Sequence, residues 1–218
     1  PLRAKATLQA LALSGEEAYA RALCIMPPAM RGRIFSDRMK RDLAGYRAEQ
    51  PLIDLMRAAP ARSGLDRAQY ADIAFWLPGD ILTKVDRTSM AVSLEAREPL
   101  LDHRLVELAA SLPQAHRISG AQGKVALKRA MAQDLPDDVL YRPKQGFVLP
   151  IAQWFRTDLK EAARDAVRSE RLLDTGWFDA AALSRLAEDH IAGRRDHARE
   201  LWQLLMLERS LSHLNGKT

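Results

Sequence analysis

The 218-residue chain has a single cysteine, Cys24, so it can form no internal disulfide. One lone thiol is consistent with a reducing, cytoplasmic compartment. No apolar run approaches the roughly 18–20 residues that a membrane span needs, so no segment reads as crossing a bilayer. The Gly-rich phosphate loops G-x-x-x-x-G-K-S/T and G-x-G-x-x-G are both missing. No Cys, His and acidic residues fall at metal-ligand spacing, since His190 and His197 stand seven apart with no third donor. No metal ligand is therefore expected. There is no internal repeat, no low-complexity tract and no long linker.

What is present fits a globular protein. The length suits one good core or two small domains, and apolar residues make up 47%. The net charge of +5 admits nucleic acid, nucleotide phosphates or an acidic partner. Acidic residues are scattered among the basic ones, however, which favours a mixed Arg-rich surface over a nucleic-acid face. The N-terminal PLRAKATLQALALSG resembles a secretory leader only loosely, because it lacks a starting Met and its apolar positions are helically spaced. It starts abruptly, as if cut from a longer chain.

Helix punctuation runs through the sequence. A first helix is expected over residues 1–13. Ser14 with Glu17 three residues on makes a capping box for a second, which runs to about Ile25 and stops at Pro27-Pro28. Ser36 caps a short basic helix ended by Gly45, and Pro51 opens another that ends before Pro60. A helix from about Asp66 to Phe75 leads to Trp76-Leu77. Pro78-Gly79-Asp80 reads as a tight break, with Asp80 as N-cap of a helix over Ile81–Val92. Ile81, Leu82, Val85, Ser89 and Val92 then share one stripe.

Further on, Pro99 pushes Glu98 into an extended conformation, and Asp102 is the natural N-cap of a helix to Leu112. Gly120 and Gly123 bracket a turn, and Lys124–Gln133 reads as a basic amphipathic helix. Residues 142–150 read as a loop. Ile151–Val167, Asp179–Ile191 and His197–His213 complete the helices. The fold class expected is all-α, a single helical region over 1–218. Residues 1–65 form variable helices, 66–155 hold the two charged runs with the lysine loop, and 156–218 are C-terminal helices.

Two runs concentrate charge among apolar residues: Trp76–Asp102 and Tyr141–Phe147, YRPKQGF. Glu95, Arg97 and Asp102 are spaced so that a bend at Pro99 could gather them into a fixed carboxylate–guanidinium group; an ion pair that only pins the turn fits the same pattern. Lys84, Asp86 and Arg87 lie off the centre of the apolar stripe. The two cations would suit a carboxylate or phosphate and Asp86 an amine, or all three could line a solvated face. Lys144 stands between Pro143 and Gly146 with Arg142 beside it. Such a loop could place one ammonium over a developing phosphoryl charge, although most lysines are simply exposed.

The run WLPGDILTKVDRTSMAVSLEAREPLLDHRLVE, Trp76–Glu107, resembles the signature region of glutamine-dependent asparagine synthetases. The stretch Gly123–Phe155, with YRPKQGF and PIAQWF, and the tail HIAGRRDHARELWQLLMLE from His190 resemble the segments that follow in that family. The likeness covers about residues 66–208.

The resemblance implies a glutaminase joined to a synthetase domain of the α/β ATP-pyrophosphatase type, with this chain as its C-terminal helical half. It implies ATP and Mg as cofactors and glutamine-derived ammonia as nitrogen source. Aspartate, or another carboxylate acceptor, would be activated as an acyl-adenylate with release of pyrophosphate, and the amide would form as AMP leaves. Lys144 matches the family's mobile-loop lysine and is the expected catalytic residue, binding phosphate together with Arg142. Lys84, Asp86, Arg87, Glu95 and Arg97 match the part that shapes the acceptor pocket. The family's S-G-G-x-D-S loop, its S-G-D/E-G-x-D-E segment and its N-terminal cysteine nucleophile are absent, and Gly79 replaces a polar residue. The chain is thus expected to be inactive alone, to need the preceding part of the same protein as its partner, and to self-associate through an uncovered apolar surface.

Overall fold

The computed structural model describes residues 12–143, 146 and 149–215. The helix expected over 1–13 lies almost wholly outside the described residues, as does Lys144. The first elements are α1 Gly15–Leu23, α2 Pro28–Ile34, α3 Asp37–Asp42, α4 Gln50–Ala58 and α5 Gly64–Ala71. A π-helix, Asp72–Leu82, runs straight on into α6 Thr83–Met90. A 3-10 turn Pro99–Leu101 precedes α7 His103–Ser111 and α8 Gln114–Arg117, followed by strands β1 Ile118–Ser119 and β2 Gln122–Gly123. Then come α9 Val125–Ala130, α10 Asp137–Leu140, α11 Ile151–Trp154, α12 Lys160–Arg168, α13 Glu170–Leu173, α14 Ala180–Ile191 and α15 Ala198–Asn215. The chain is mostly helical, as expected; the turn between Gly120 and Gly123 is a small antiparallel hairpin pairing Ile118 with Gly123.

Two compact units form. One comprises Pro1–Tyr19 and Pro51–Gly146, the other Ala20–Gln50 and Phe147–Thr218. The second holds a well-packed core. Ala163, Ala166 and Val167 of α12 meet Leu183, Leu186 and Ala187 of α14 and Leu201, Leu204 and Leu205 of α15, with Ile34, Phe155 and Leu172 closing the cluster. Apolar residues three and four apart on each helix supply these faces. Asp179 caps α14 by accepting the Ala182 N–H at 2.6 Å, and Gly193 ends it at φ +71, where a side chain would be strained. Arg31 grips the buried Glu49 carboxylate with one nitrogen, at 2.6 and 2.8 Å.

The first unit is held largely by polar contacts. The capping box forms: Glu17 N–H donates to Ser14 Oγ at 3.2 Å and Ser14 N–H to Glu17 Oε2 at 3.3 Å. Arg67 of α5 donates to Glu16 at 2.6 Å, Tyr19 donates to Asp72 at 2.6 Å, and Arg117 donates to Gln69 at 2.6 Å. Few apolar side chains here are buried: Leu52, Ile53 and Met56 of α4, Ala71 and Val125.

Several local expectations change. Pro78-Gly79-Asp80 is no break, and Asp80 caps nothing; the backbone continues as a π-helix through Pro78. A proline ring inside an α-helix meets the carbonyl four residues back, and the wider π turn relieves that contact. Thr83 Oγ1 donates to the Pro78 carbonyl at 2.6 Å. Val92, placed on the apolar stripe, lies beyond α6 and is 75% exposed. Pro28, read only as a stop, occupies the first turn of α2, where its missing N–H costs nothing. Lys124 does not join α9 but caps it in the left-handed region at φ +60. The expected helix over Ile151–Val167 is two, α11 and α12, separated by a turn in which Leu159 N–H donates to Trp154 O at 2.7 Å.

Candidate acceptor pocket

The signature stretch folds within the first unit. The π-helix and α6 form one rod, the chain turns at Ser93 (φ +60), and residues 94–98 return without helical structure. Pro99 holds Glu98 extended at φ −106, ψ 95, as the pre-proline clash requires. Between the rod and the returning segment opens a cleft of about 390 Å³, lined by Pro78, Leu82, Thr83, Val85, Asp86, Ala96 and Glu98. Its two ionisable groups are both carboxylates. Such a lining favours a cationic ligand group such as an ammonium, and disfavours a phosphate.

The residues singled out in the sequence separate into groups. Asp86 lines the cleft. Lys84 reaches back one turn to Asp80 at 3.3 Å and is exposed, as expected of an i,i+4 pair. Arg87 is exposed on α6. Glu95 and Arg97 bind one another, Nε to Oε1 at 3.0 Å and Nη2 to Oε2 at 3.3 Å, outside the cleft lining. Asp102 does not join them. It caps α7 by accepting the Arg104 N–H at 3.0 Å and binds the Arg104 guanidinium at 3.0 and 2.9 Å. The Arg104 side-chain bonds hold the Asp102 carboxyl below the usual carboxylate range. Arg142 is exposed at the start of the loop, just after Tyr141, whose ring lies 5.2 Å beneath the Lys128 ammonium.

Glu98, not singled out in the sequence, also lines the cleft. The following Pro99 holds its backbone extended, and the return of residues 94–98 brings it to the cleft. For Mg the fit is poor: among the described residues no three His, Cys, Asp or Glu converge as a ligand set, so no step through the metal is derived. The ATP phosphate ligand expected from the sequence, Lys144, lies outside the described residues.

The family described as Asparagine synthase matches residues 4–212. The chain belongs to that family. A protein of Mycobacterium tuberculosis (strain ATCC 25618 / H37Rv) described as "Putative asparagine synthetase (glutamine-hydrolyzing)" is 39% identical over 180 residues, covering 80% of this chain and 27% of the relative. Asparagine synthetase (glutamine-hydrolyzing) 1 of Bacillus subtilis is 33% identical over 144 residues, 66% of this chain and 22% of the relative. The Gallus gallus asparagine synthetase is 40% identical over 83 residues, 35% of this chain and 15% of the relative. The chain thus spans about a quarter of the length of the first of these asparagine synthetases. No solved structure matches it. Among the described residues no helix is long and apolar enough to cross a membrane.

Proposed function

We propose that this chain supplies the acceptor side of an ATP-dependent ligase that forms asparagine from aspartate. Aspartate's side-chain carboxylate attacks the α-phosphorus of ATP, giving an acyl-adenylate and pyrophosphate. Ammonia derived from glutamine then attacks the acyl carbon and AMP leaves. Membership of the Asparagine synthase family supports the reaction class.

The observation that carries the chain's own role is the cleft formed by the signature stretch. Asp86 and Glu98 offer two carboxylates to the α-ammonium of aspartate, fixed by α6 on one side and by Pro99 on the other. Fixed charges of this kind orient a substrate before reaction. Lys84, Arg87, Glu95 and Arg97 do not line the cleft; family likeness alone assigns them to the acceptor side. Family likeness assigns Lys144 and Arg142 to the transferring phosphate, where an ammonium stabilises the charge that builds on oxygen. Mg accompanies ATP and takes its ligands from the preceding part of the protein.

The chain spans about a quarter of the length of the synthetases it resembles, and the proposed reaction is that of the longer protein, in a reducing, cytoplasmic setting. Aspartate-dependent exchange between ATP and labelled pyrophosphate tests this. The expected result is exchange by the longer protein and none by residues 1–218 alone; exchange by the chain alone would overturn the division of labour. A second reading keeps the chemistry and changes the acceptor to another amine-bearing carboxylate, because the cleft's two carboxylates recognise the ammonium and not the side chain. Substituting such acceptors for aspartate in the same exchange assay separates the two.

A further inference from the structure

The acceptor cleft holds one polar side chain besides its two carboxylates, Thr83. A threonine hydroxyl has one donor and two lone pairs. Thr83 Oγ1 lies 2.6 Å from the Pro78 carbonyl oxygen, and a carbonyl can only accept, so the hydroxyl hydrogen is committed to that bond. Pro78 lines the cleft as well. The Thr83 oxygen can therefore meet a ligand in the cleft only as an acceptor. Thr83 and Asp86 stand three residues apart on α6, which makes their side chains neighbours on one face of the helix. Glu98 lines the cleft from the returning segment. The pairing of carboxylates along Trp76–Asp102 singles out the same spot. Asp80 is paired with Lys84 at 3.3 Å, Glu95 with Arg97 at 3.0 Å and Asp102 with Arg104 at 2.9 Å. Among the described residues, Asp86 and Glu98 have neither an ion pair nor a side-chain hydrogen bond, and they are the two that line the cleft.

Building on the proposed acceptor role of this cleft, we infer that Thr83 determines its specificity: the Thr83 oxygen is the third acceptor, beside the Asp86 and Glu98 carboxylates, for the α-ammonium of aspartate, and it selects a primary ammonium over an N-substituted one. A primary ammonium carries three N–H donors and meets three acceptors here. A secondary ammonium carries two and leaves one acceptor unmatched. A site built to bond each N–H rejects an analogue lacking one more sharply than an apolar pocket rejects an added methyl. The Pro78 carbonyl holds the hydroxyl in its accepting orientation before the ligand arrives, so binding does not have to reorient it.

The test is formation of labelled asparagine from labelled L-aspartate by the longer protein, with N-methyl-L-aspartate, whose ammonium carries two N–H donors, as competitor. The unsubstituted protein is expected to show an inhibition constant for N-methyl-L-aspartate about tenfold or more above its KM for aspartate. Thr83→Val keeps the shape and removes the hydroxyl. It is expected to raise the KM for aspartate about tenfold, to leave the KM for ATP unchanged, and to leave the inhibition constant of N-methyl-L-aspartate nearly unchanged, so that the discrimination is lost. Thr83→Ser, which keeps the hydroxyl, is expected to retain it. These constants do not depend on the fraction of protein that is folded, so poorer folding of a variant does not imitate the result. Equal weakening of both acceptors by Thr83→Val, an unchanged KM for aspartate, Thr83→Ser behaving as Thr83→Val, or an unsubstituted protein that does not discriminate would each overturn the proposal and leave the ligase reaction in place. Absence of asparagine formation by the unsubstituted longer protein would overturn the reaction itself, and the assignment of Thr83 with it.

Discussion

Arg97 holds Glu95 across one intervening residue, with Nε to Oε1 at 3.0 Å and Nη2 to Oε2 at 3.3 Å. In an extended segment, residues two apart project to the same side, so the pair follows directly from E-A-R followed by a pre-proline residue. The two side chains are 68% and 82% exposed, and exposed pairs contribute about 0–1 kcal/mol. Glu95→Gln is therefore expected to change stability by less than about 1 kcal/mol. If Glu95 serves the acceptor side as proposed, the same substitution reduces amide formation by the longer protein about tenfold or more. Urea unfolding and asparagine production measured side by side check this; unchanged production would remove Glu95 from the site.

Asp86 and Glu98 make a sharper pair for mutation, because they share the cleft lining. Asp86→Asn and Glu98→Gln keep size and remove charge. If both carboxylates meet the α-ammonium, each raises the KM for aspartate about tenfold or more, while the KM for ATP changes little. Steady-state kinetics on the longer protein reads the split. A fall in kcat with KM unchanged would assign the carboxylates to the chemical step instead.

The first unit exposes Phe75, Trp76, Met90, Val92, Leu94 and Leu100 within one continuous stretch of sequence. Solvent-facing apolar residues in such number mark an interaction surface or an aggregation liability. The isolated chain is expected to self-associate with rising concentration, and Phe75→Ser with Trp76→Ser to lower the associated fraction. Light scattering across a dilution series decides it, and a heat-resistant monomer at every concentration would count against an uncovered surface.

Most of the helices were legible in the sequence because their stops and starts are local chemistry. Ser14–Glu17, Ser36, Asp102 and Asp179 cap where their side chains predict. The π-helix was not legible, since Pro-Gly is ordinarily a break and the wider turn carries the rod through Pro78. Asp86, singled out for its place on the edge of the helical stripe, lines the cleft. Glu98 was not singled out, because its place there depends on the return of residues 94–98 towards α6, a tertiary relationship that no local pattern encodes. The exposure of Leu105 and Leu108 on the apolar face of α7 follows the same logic: periodicity marks a face but not what covers it.

Acid should loosen the first unit. The Glu16 carboxyl is held below its ordinary range by a backbone hydrogen bond and by Arg67, and that of Asp66 by Ser63 and Arg117. A carboxylate whose pKa is lower folded than unfolded stabilises the fold fully above its unfolded value, about 4, and loses that contribution as pH falls through the folded value. Stability is therefore expected to be flat with respect to these groups from pH 7 to about 5 and to drop below about 4. Arg67→Gln, which removes one partner of Glu16, should flatten the drop. Urea midpoints at pH 7, 5, 4 and 3 measure it, and a parallel decline in the variant would exclude Glu16 as a source.

His190 gives the second unit its most exacting polar contact. The ring is fully buried. Nε2 lies 3.0 Å from the Ala152 carbonyl, and Nδ1 accepts the His197 N–H at 3.0 Å. An acceptor at Nδ1 leaves the proton on Nε2, where it donates to Ala152, so one neutral tautomer ties α11 to the turn between α14 and α15. His190→Ala removes both bonds, strands a carbonyl and an N–H, and leaves a void beside Phe155, whose ring packs edge-on at 6.2 Å. Each unmatched buried group costs about 1–3 kcal/mol, so a loss of at least about 3 kcal/mol is expected. His190→Asn, whose side-chain oxygen can still accept the His197 N–H, should recover part of it. Equal unfolding midpoints for the two variants would mean that the ring's volume, and not its hydrogen bonds, holds this junction.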